Sequence, residues 1–176
     1  YTFDEIKSCD AGGKFDKKFK GERIPSFEEF LQLVAPTRIS LNVEIKDYTF
    51  ECADKAVALL LKYGFKDRFV ITSFDANITQ YVHQVLGFPT QGFPLDKMHN
   101  ASNDTYKHLS AVGMGSWWID TAPSAAEYRK MGIDYWTWCP DTEEEVIRHI
   151  AAGASLMTCN NPFPALKVLK ERGLHK

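Results

Sequence analysis

From Arg38 onward the chain alternates between short, strand-like apolar runs and longer stretches with apolar residues at helical spacing. RISLNVEIK (38–46) reads as a strand, followed by the helix FECADKAVALLLKYG (50–64), which Gly64 stops. RFVITSF (68–74) is a strand, and ANITQYVHQVLG (76–87) a helix. TQGFP (90–94) is a short strand, followed by a polar loop and a helix around Asn103 to Ala111. GSWWID (115–120) and PSAAEYRKMG (123–132) form the next strand and helix, then IDYWTWC (133–139) and TEEEVIRHIAAG (142–153), with Thr142 and Glu145 as cap. ASLMTCN (154–160) is the last strand, and a helix from about Pro164 to Gly173 closes the pattern. Ahead of this rhythm, TFDEIKSCD and Ser26 to Val34 read as short helices. Thr2 with Glu5, and Ser26 with Glu29, have the spacing of a capping box.

Repeated strand-then-helix units require parallel strands joined by helical crossovers. An open doubly wound sheet and a (β/α)8 TIM barrel both satisfy that. The doubly wound form would prefer a glycine-rich turn after its first strand, where this chain has KDYTFEC. A barrel needs eight strands and about 250 residues. Here 176 residues supply about six βα units after residue 38, and the chain opens at Tyr1 rather than Met. The expectation is an α/β chain forming one domain over residues 1–176, an incomplete barrel whose front end lies upstream. Exposed sheet edges would make such a piece prone to aggregate, or dependent on the absent segment.

Composition narrows the partners. The chain is 44% hydrophobic and 25% charged, with net charge −2 and a pI near 6.2. That balance recommends neither nucleic acid nor an anionic membrane. No apolar run approaches the roughly 18 residues of a membrane span. Cys9, Cys52, Cys139 and Cys159 are scattered without a C-x-x-C pair and read as free thiols. The five histidines lack zinc spacing.

The stretch LNVEIK carries the chemistry. Strand alternation puts Asn42, Glu44 and Lys46 on one face and Val43 and Ile45 on the other. In a barrel, functional groups sit at the carboxyl ends of strands, where Glu44 and Lys46 fall. A carboxylate there can hold Mg²⁺ or Ca²⁺ through oxygen, and an ammonium can offset charge building on a phosphoryl oxygen. Together they suggest phosphate-ester chemistry. The plainer reading is a solvated strand face with a weak ion pair. Phe74 and Trp136 at other strand ends read either as pocket walls or, more often for large aromatics, as core, and Trp138 also falls at a strand end. Asp120, Asn160 and Asn161 also fall at strand ends. GGKFDKKFKGER reads as an anion-collecting loop or as solvated surface. A Schiff-base role for Lys46 is opposed by Glu44 two residues away, which would keep the lysine protonated.

The order of YTFDEIKSCDAGGKFDKKFKGERIPSFEEFL, LNVEIK, DRFVITSF and DYWTWCPDTEEEVIRHIAAGASLMTCNNP resembles the glycerophosphodiester phosphodiesterase family of TIM-barrel enzymes, over nearly the whole chain. The resemblance implies metal-dependent hydrolysis of a small-molecule glycerophosphodiester to glycerol 3-phosphate and an alcohol. It makes Glu44 a ligand of a divalent cation (Mg or Ca) and Lys46 the catalytic residue that neutralises the phosphate. Phe74 and Trp136 become the substrate-binding walls. The family's opening H-R-G and E-x-D strands and its H-D step, which supply the acid-base histidines and the other metal-binding acids, do not occur here. Its W-T-V-N reads W-T-W-C and its I-T-D-x-P reads M-T-C-N-N-P. The chain alone is therefore expected to be inactive or nearly so. The alternative expectation is a degenerate barrel that binds a phosphorylated small molecule without turnover.

Overall fold

Residues 1–175 are described by a computed structural model. Seven α-helices and six strands are present among them, besides short 3₁₀ and π turns: α1 (Phe3–Ser8), α2 (Phe27–Val34), β1 (Leu41–Glu44), α3 (Phe50–Lys62), β2 (Phe69–Thr72), α4 (Ala76–Tyr81), β3 (Thr90–Gly92), β4 (Ala111–Gly115), α5 (Ala125–Lys130), β5 (Asp134–Trp138), α6 (Glu143–Ala151), β6 (Leu156–Thr158) and α7 (Pro162–Glu171). Contacts divide the chain into two compact units, one made of residues 1–41 and 54–69 and the other of 42–53 and 70–176. No helix among the described residues is long and apolar enough to cross a membrane.

The first unit buries Leu31, Val57, Leu60 and Phe65 and adds polar contacts at its surface. Capping boxes open both α1 (Thr2 with Glu5) and α2 (Ser26 with Glu29), as the spacing anticipates. Glu29 also accepts from Lys7 Nζ at 2.6 Å, and that ammonium, ahead of the Ser26 amide and hydroxyl, holds the Glu29 carboxyl down at about 2. Glu28 receives Lys62 Nζ at 2.7 Å and the Tyr63 hydroxyl at 2.9 Å. In the Gly- and Lys-rich loop, the Asp10 carboxylate accepts the backbone N–H groups of Gly12, Gly13 and Gly21 at 2.8–3.0 Å. Those amides, which an anion-collecting loop would offer to a ligand, are spent on the chain's own carboxylate. Gly12 has to be glycine, because a Cβ there would stand 2.2 Å from the Phe19 carbonyl oxygen.

The strands form one six-stranded sheet in the order β1-β2-β3-β4-β5-β6. The pairs from β2 to β6 are parallel, with Ile71 opposite Thr90, Gln91 opposite Ala111, Trp136 opposite Gly113 and Thr137 opposite Met157. A doubly wound sheet reverses its order partway. This one never does, so right-handed crossovers place the helices on a single face. Side chains agree. Tyr135 joins Val112, Met114 and Ile133 in a core with Ala125 and Tyr128 of α5, and Thr137 meets His149 of α6. Trp138, on the alternate face of β5, turns to a cavity that β1, β2, β3 and β6 also line. In a flat sheet, strands five positions apart would lie about 24 Å from one another. A cavity shared by β1 and β6 therefore requires the sheet to curl. This is the architecture of a (β/α)8 TIM barrel, six βα units of it.

Two elements depart from the sequence reading. The helix expected around residues 103–111 is a single 3₁₀ turn, Thr105–His108. The strand expected at 115–120 is shifted to Ala111–Gly115, and Trp117, Trp118 and Asp120 lie in the turn that follows. The reason is the inner face of β4. Ala111, Gly113 and Gly115 carry little side chain, so the strand shows almost no apolar signal on that side. The two tryptophans beyond it imitate a strand instead.

Candidate functional site

Glu44 ends β1, and Lys46 lies just past it on the same face. With Asn42 they form one wall of a cavity of about 360 Å³, completed by Thr72 and Phe74, by Gln91 and Phe93, and by Trp138, Cys139 and Thr158. All ten belong to the second unit. A larger groove of about 580 Å³ lies between α6, β6 and α7, but aliphatic residues dominate its lining and no charged group reaches it. The smaller cavity, at the carboxyl ends of the strands, has the means to do chemistry.

Its floor is a closed polar network. Asn42 Nδ2 donates to Gln91 Oε1 at 2.8 Å, Thr72 Oγ1 donates to Asn42 Oδ1, and Thr72 Oγ1 also reaches Gln91 Oε1 at 3.2 Å. Gln91 is only 5% exposed. It fits because residue 113 is glycine: a Cβ there would stand 2.1 Å from Gln91 Nε2. Burying the polar side chains of Thr72 and Gln91 is tolerable because they bond each other and the exposed Asn42.

Charge sits above this floor. Lys46 Nζ lies 3.6 Å from Glu44 Oε2, with the lysine side chain 80% and the glutamate 37% exposed. So exposed a pair contributes little to stability, which leaves the ammonium available to an anion. The aromatic wall is more rigid. Phe74 stacks on Phe93 with centroids 3.5 Å apart, and Phe93 meets Trp138 edge to face at 6.5 Å. Trp117 and Trp118, which do not line the cavity, stand perpendicular to Trp138 at 4.8 and 5.6 Å. The rim is tied down by Asp141, which accepts from Asn160 N, Asn160 Nδ2 and Asn161 N at 2.7–2.9 Å. The Asn160 amide, followed by the backbone N–H groups, holds the Asp141 carboxyl below the usual carboxylate range. Burial pushes the Cys139 thiol up, away from the reactive thiolate.

The structure thus brings Glu44, Lys46 and Phe74 together. Trp136 lies elsewhere: it is on the same face of β5 as Trp138 but one side-chain layer nearer the strand's start, where its Nε1 donates to Asp134 Oδ2 at 2.9 Å. Trp138 takes the place in the cavity wall. Asp120 pairs with Arg148 at 2.5 Å, outside the cavity lining. Gln91 and Phe93 were not singled out from the sequence. The signal available was the period-two spacing of one amide and one aromatic in TQGFP. A hard cation takes about six oxygens, and Glu44 is the only carboxylate among the cavity residues. No group of three or more His, Cys, Asp or Glu side chains among the described residues is placed to hold a metal. The described residues therefore do not compose a site for the divalent cation.

No family profile matches the chain. A glycerophosphodiester phosphodiesterase of Caldanaerobacter subterraneus subsp. tengcongensis is 27% identical, over 98% of this chain and 73% of that protein. A glycerophosphodiester phosphodiesterase structure from Parabacteroides distasonis superposes with a TM-score of 0.78 at 18% identity, covering 98% of this chain and 72% of that one. A phosphodiesterase from Oleispira antarctica, solved with its product sn-glycerol-3-phosphate, gives 0.76 at 13% identity, over 96% and 70%. Six sequential βα units, an acid and an amine at the mouth of the first, and these relatives together make the chain similar in sequence and in fold to glycerophosphodiester phosphodiesterases, which are phosphoric diester hydrolases.

Proposed function

We propose that the cavity binds a glycerophosphodiester, the substrate class whose hydrolysis yields glycerol 3-phosphate and an alcohol. The observation that carries this reading is the Lys46 ammonium, held at the rim of an aromatic-walled cavity with Glu44 beside it. Lys46 contacts the phosphoryl oxygens and offsets the charge that builds on them when water attacks phosphorus. Glu44 orients the ammonium, and the Phe74–Phe93 stack takes the carbon skeleton of the substrate. No step is routed through a cation, because the described residues do not assemble its ligands.

A second reading, binding without turnover, is favoured by one observation: no histidine among the described residues lines the cavity, so the proton transfers of hydrolysis lack their usual carrier, a contribution of roughly 10²–10⁴ in rate. Calorimetry with glycerol 3-phosphate, together with release of choline from glycerophosphocholine, separates the two. Binding with turnover supports the hydrolase, and binding without turnover supports the second reading. Replacing Lys46 by Met should weaken glycerol 3-phosphate binding by roughly 10- to 100-fold, the scale of a charged hydrogen bond. Unchanged binding in Lys46→Met would remove the reading altogether.

A further inference from the structure

We propose that the loop spanning residues 10–23 is a docking surface for an anionic lipid bilayer, its phenylalanines entering the headgroup region while its lysines lie against the lipid phosphates. The loop belongs wholly to the first unit, and the proposal is independent of the cavity reading.

The net charge of −2 hides a local reversal. Residues 14–20 read KFDKKFK, four lysines against one aspartate, with two phenylalanines set among them. Lys18 pairs with Asp16 at 3.5 Å, and Lys14, Lys17 and Lys20 have no carboxylate partner among the described residues. Phe15 is 84% exposed and Phe19 37%. Their ring centres lie 5.9 Å apart, and Lys18 Nζ stands 4.8 Å from the centre of the Phe19 ring. Rings left in water gain from any partner that covers them.

The loop is firmly built. A bridge between Asp10 and Arg23 closes its neck, together with the Ala11 N–H, which donates to the Glu22 carbonyl at 2.8 Å. Inside it, the Gly12 carbonyl accepts from the N–H groups of Phe15 and Asp16 at 2.9 and 3.1 Å. Asp16 caps the turn Lys17–Phe19 by accepting from the Lys18 N–H at 3.0 Å. Side chains on so closely bonded a loop can be engaged without the ordering entropy that a slack segment loses.

The interleaving of charge and ring selects the partner. A protein covering these rings would desolvate the ammonium groups between them, and the centres of protein interfaces are depleted in lysine. A nucleic-acid strand would want successive open ring faces for its bases, whereas Lys18 sits over Phe19 and leaves Phe15 alone. A bilayer meets both demands. Rings enter the boundary between headgroups and chains, and lysines reach back to the phosphates.

The test is co-sedimentation of the full chain with vesicles of phosphatidylcholine alone, and of phosphatidylcholine mixed with phosphatidylglycerol. Partitioning onto the mixed vesicles should be roughly 100-fold stronger, the scale of three net positive charges at the surface, and should weaken at high salt. The paired change Lys14→Gln with Lys17→Gln should weaken it roughly 30-fold, and Phe15→Ala roughly tenfold. Both variants alter exposed side chains, so a thermal midpoint equal to the parent's reports that they are folded. Equal partitioning onto the two kinds of vesicle, or none onto either, would overturn the inference. Binding unchanged in both variants would overturn its assignment to this loop. A loss confined to the lysine variant would mark a site for polyanions in general, single-stranded DNA as well as vesicles, and overturn the insertion of the rings.

Discussion

Gly113 is the residue on which the floor of the cavity turns, and replacing it by alanine gives a sharp test. A methyl group there would meet Gln91 Nε2 at 2.1 Å and Phe93 Cε1 at 3.0 Å, well inside ordinary contact. Gln91 cannot stay where it is. Retreat breaks its bonds to Asn42 and Thr72, each worth about 0.5–1.5 kcal/mol. Holding on instead strains a closely packed wall by about 1–3 kcal/mol. Either way the expected loss is about 1–3 kcal/mol, which corresponds to a fall in Tm of about 2–12 °C for a chain of this size. Gln91→Ala alone loses the same bonds and leaves the Asn42 amide without its acceptor. In the double variant, however, the new methyl group occupies space the glutamine has vacated. The double loss should therefore fall short of the sum of the single losses by about 1–2 kcal/mol. Thermal and urea denaturation of the four proteins measures this. Additive single effects, or a Gly113→Ala chain as stable as the parent, would refute the description of the floor as a packed and mutually bonded unit.

Burial holds the His149 imidazole below its usual range, with Arg148 adding to the effect, and His108 shifts the same way through burial and nearby His83. The unfolded chain therefore takes up protons below about pH 6.5 that the folded chain declines, so the urea midpoint should fall between pH 7 and 5, before the carboxylates titrate. His149→Gln, which can still bond Ser116 and Thr137, should flatten most of that slope, and an unchanged slope would exclude His149 as its source. Chelating divalent cations should leave glycerol 3-phosphate affinity within about twofold, since Glu44 stands without a second acid in the cavity; a larger loss on calorimetry would mean that ligands are recruited from elsewhere. Leu156, 40% exposed on the terminal strand β6 beside the apolar groove, should promote self-association, and Leu156→Lys should shift sedimentation toward the monomer.

The parts of this architecture legible in the sequence were those written in local chemistry. The capping pairs Thr2–Glu5, Ser26–Glu29 and Thr142–Glu145 marked three helix starts correctly. The alternation in LNVEIK put Asn42, Glu44 and Lys46 on a shared face, and all three line the cavity. What stayed hidden depends on contacts distant in sequence. Nothing local to TQGFP reveals that Gln91 bonds Asn42, and nothing local to AVGMG reveals why two of its positions are glycine. Trp117 and Trp118 look like strand residues because aromatic pairs favour strands, yet their role is to brace a third tryptophan across a turn. Trp136 and Trp138 share a face and differ by one layer of depth, a distinction that period-two spacing cannot express.

The unbroken strand order also bears on how the chain is made. Ile71 meets Thr90, and Trp136 meets Leu156, so each strand finds its partner as soon as the intervening helix has been synthesised. Neighbouring pairings of this kind close short loops and cost little entropy. Assembly can then advance with the ribosome, each new unit docking on the one already in place, and the tryptophan wall, which draws on β4, β5 and the turn between them, is among the last features to set.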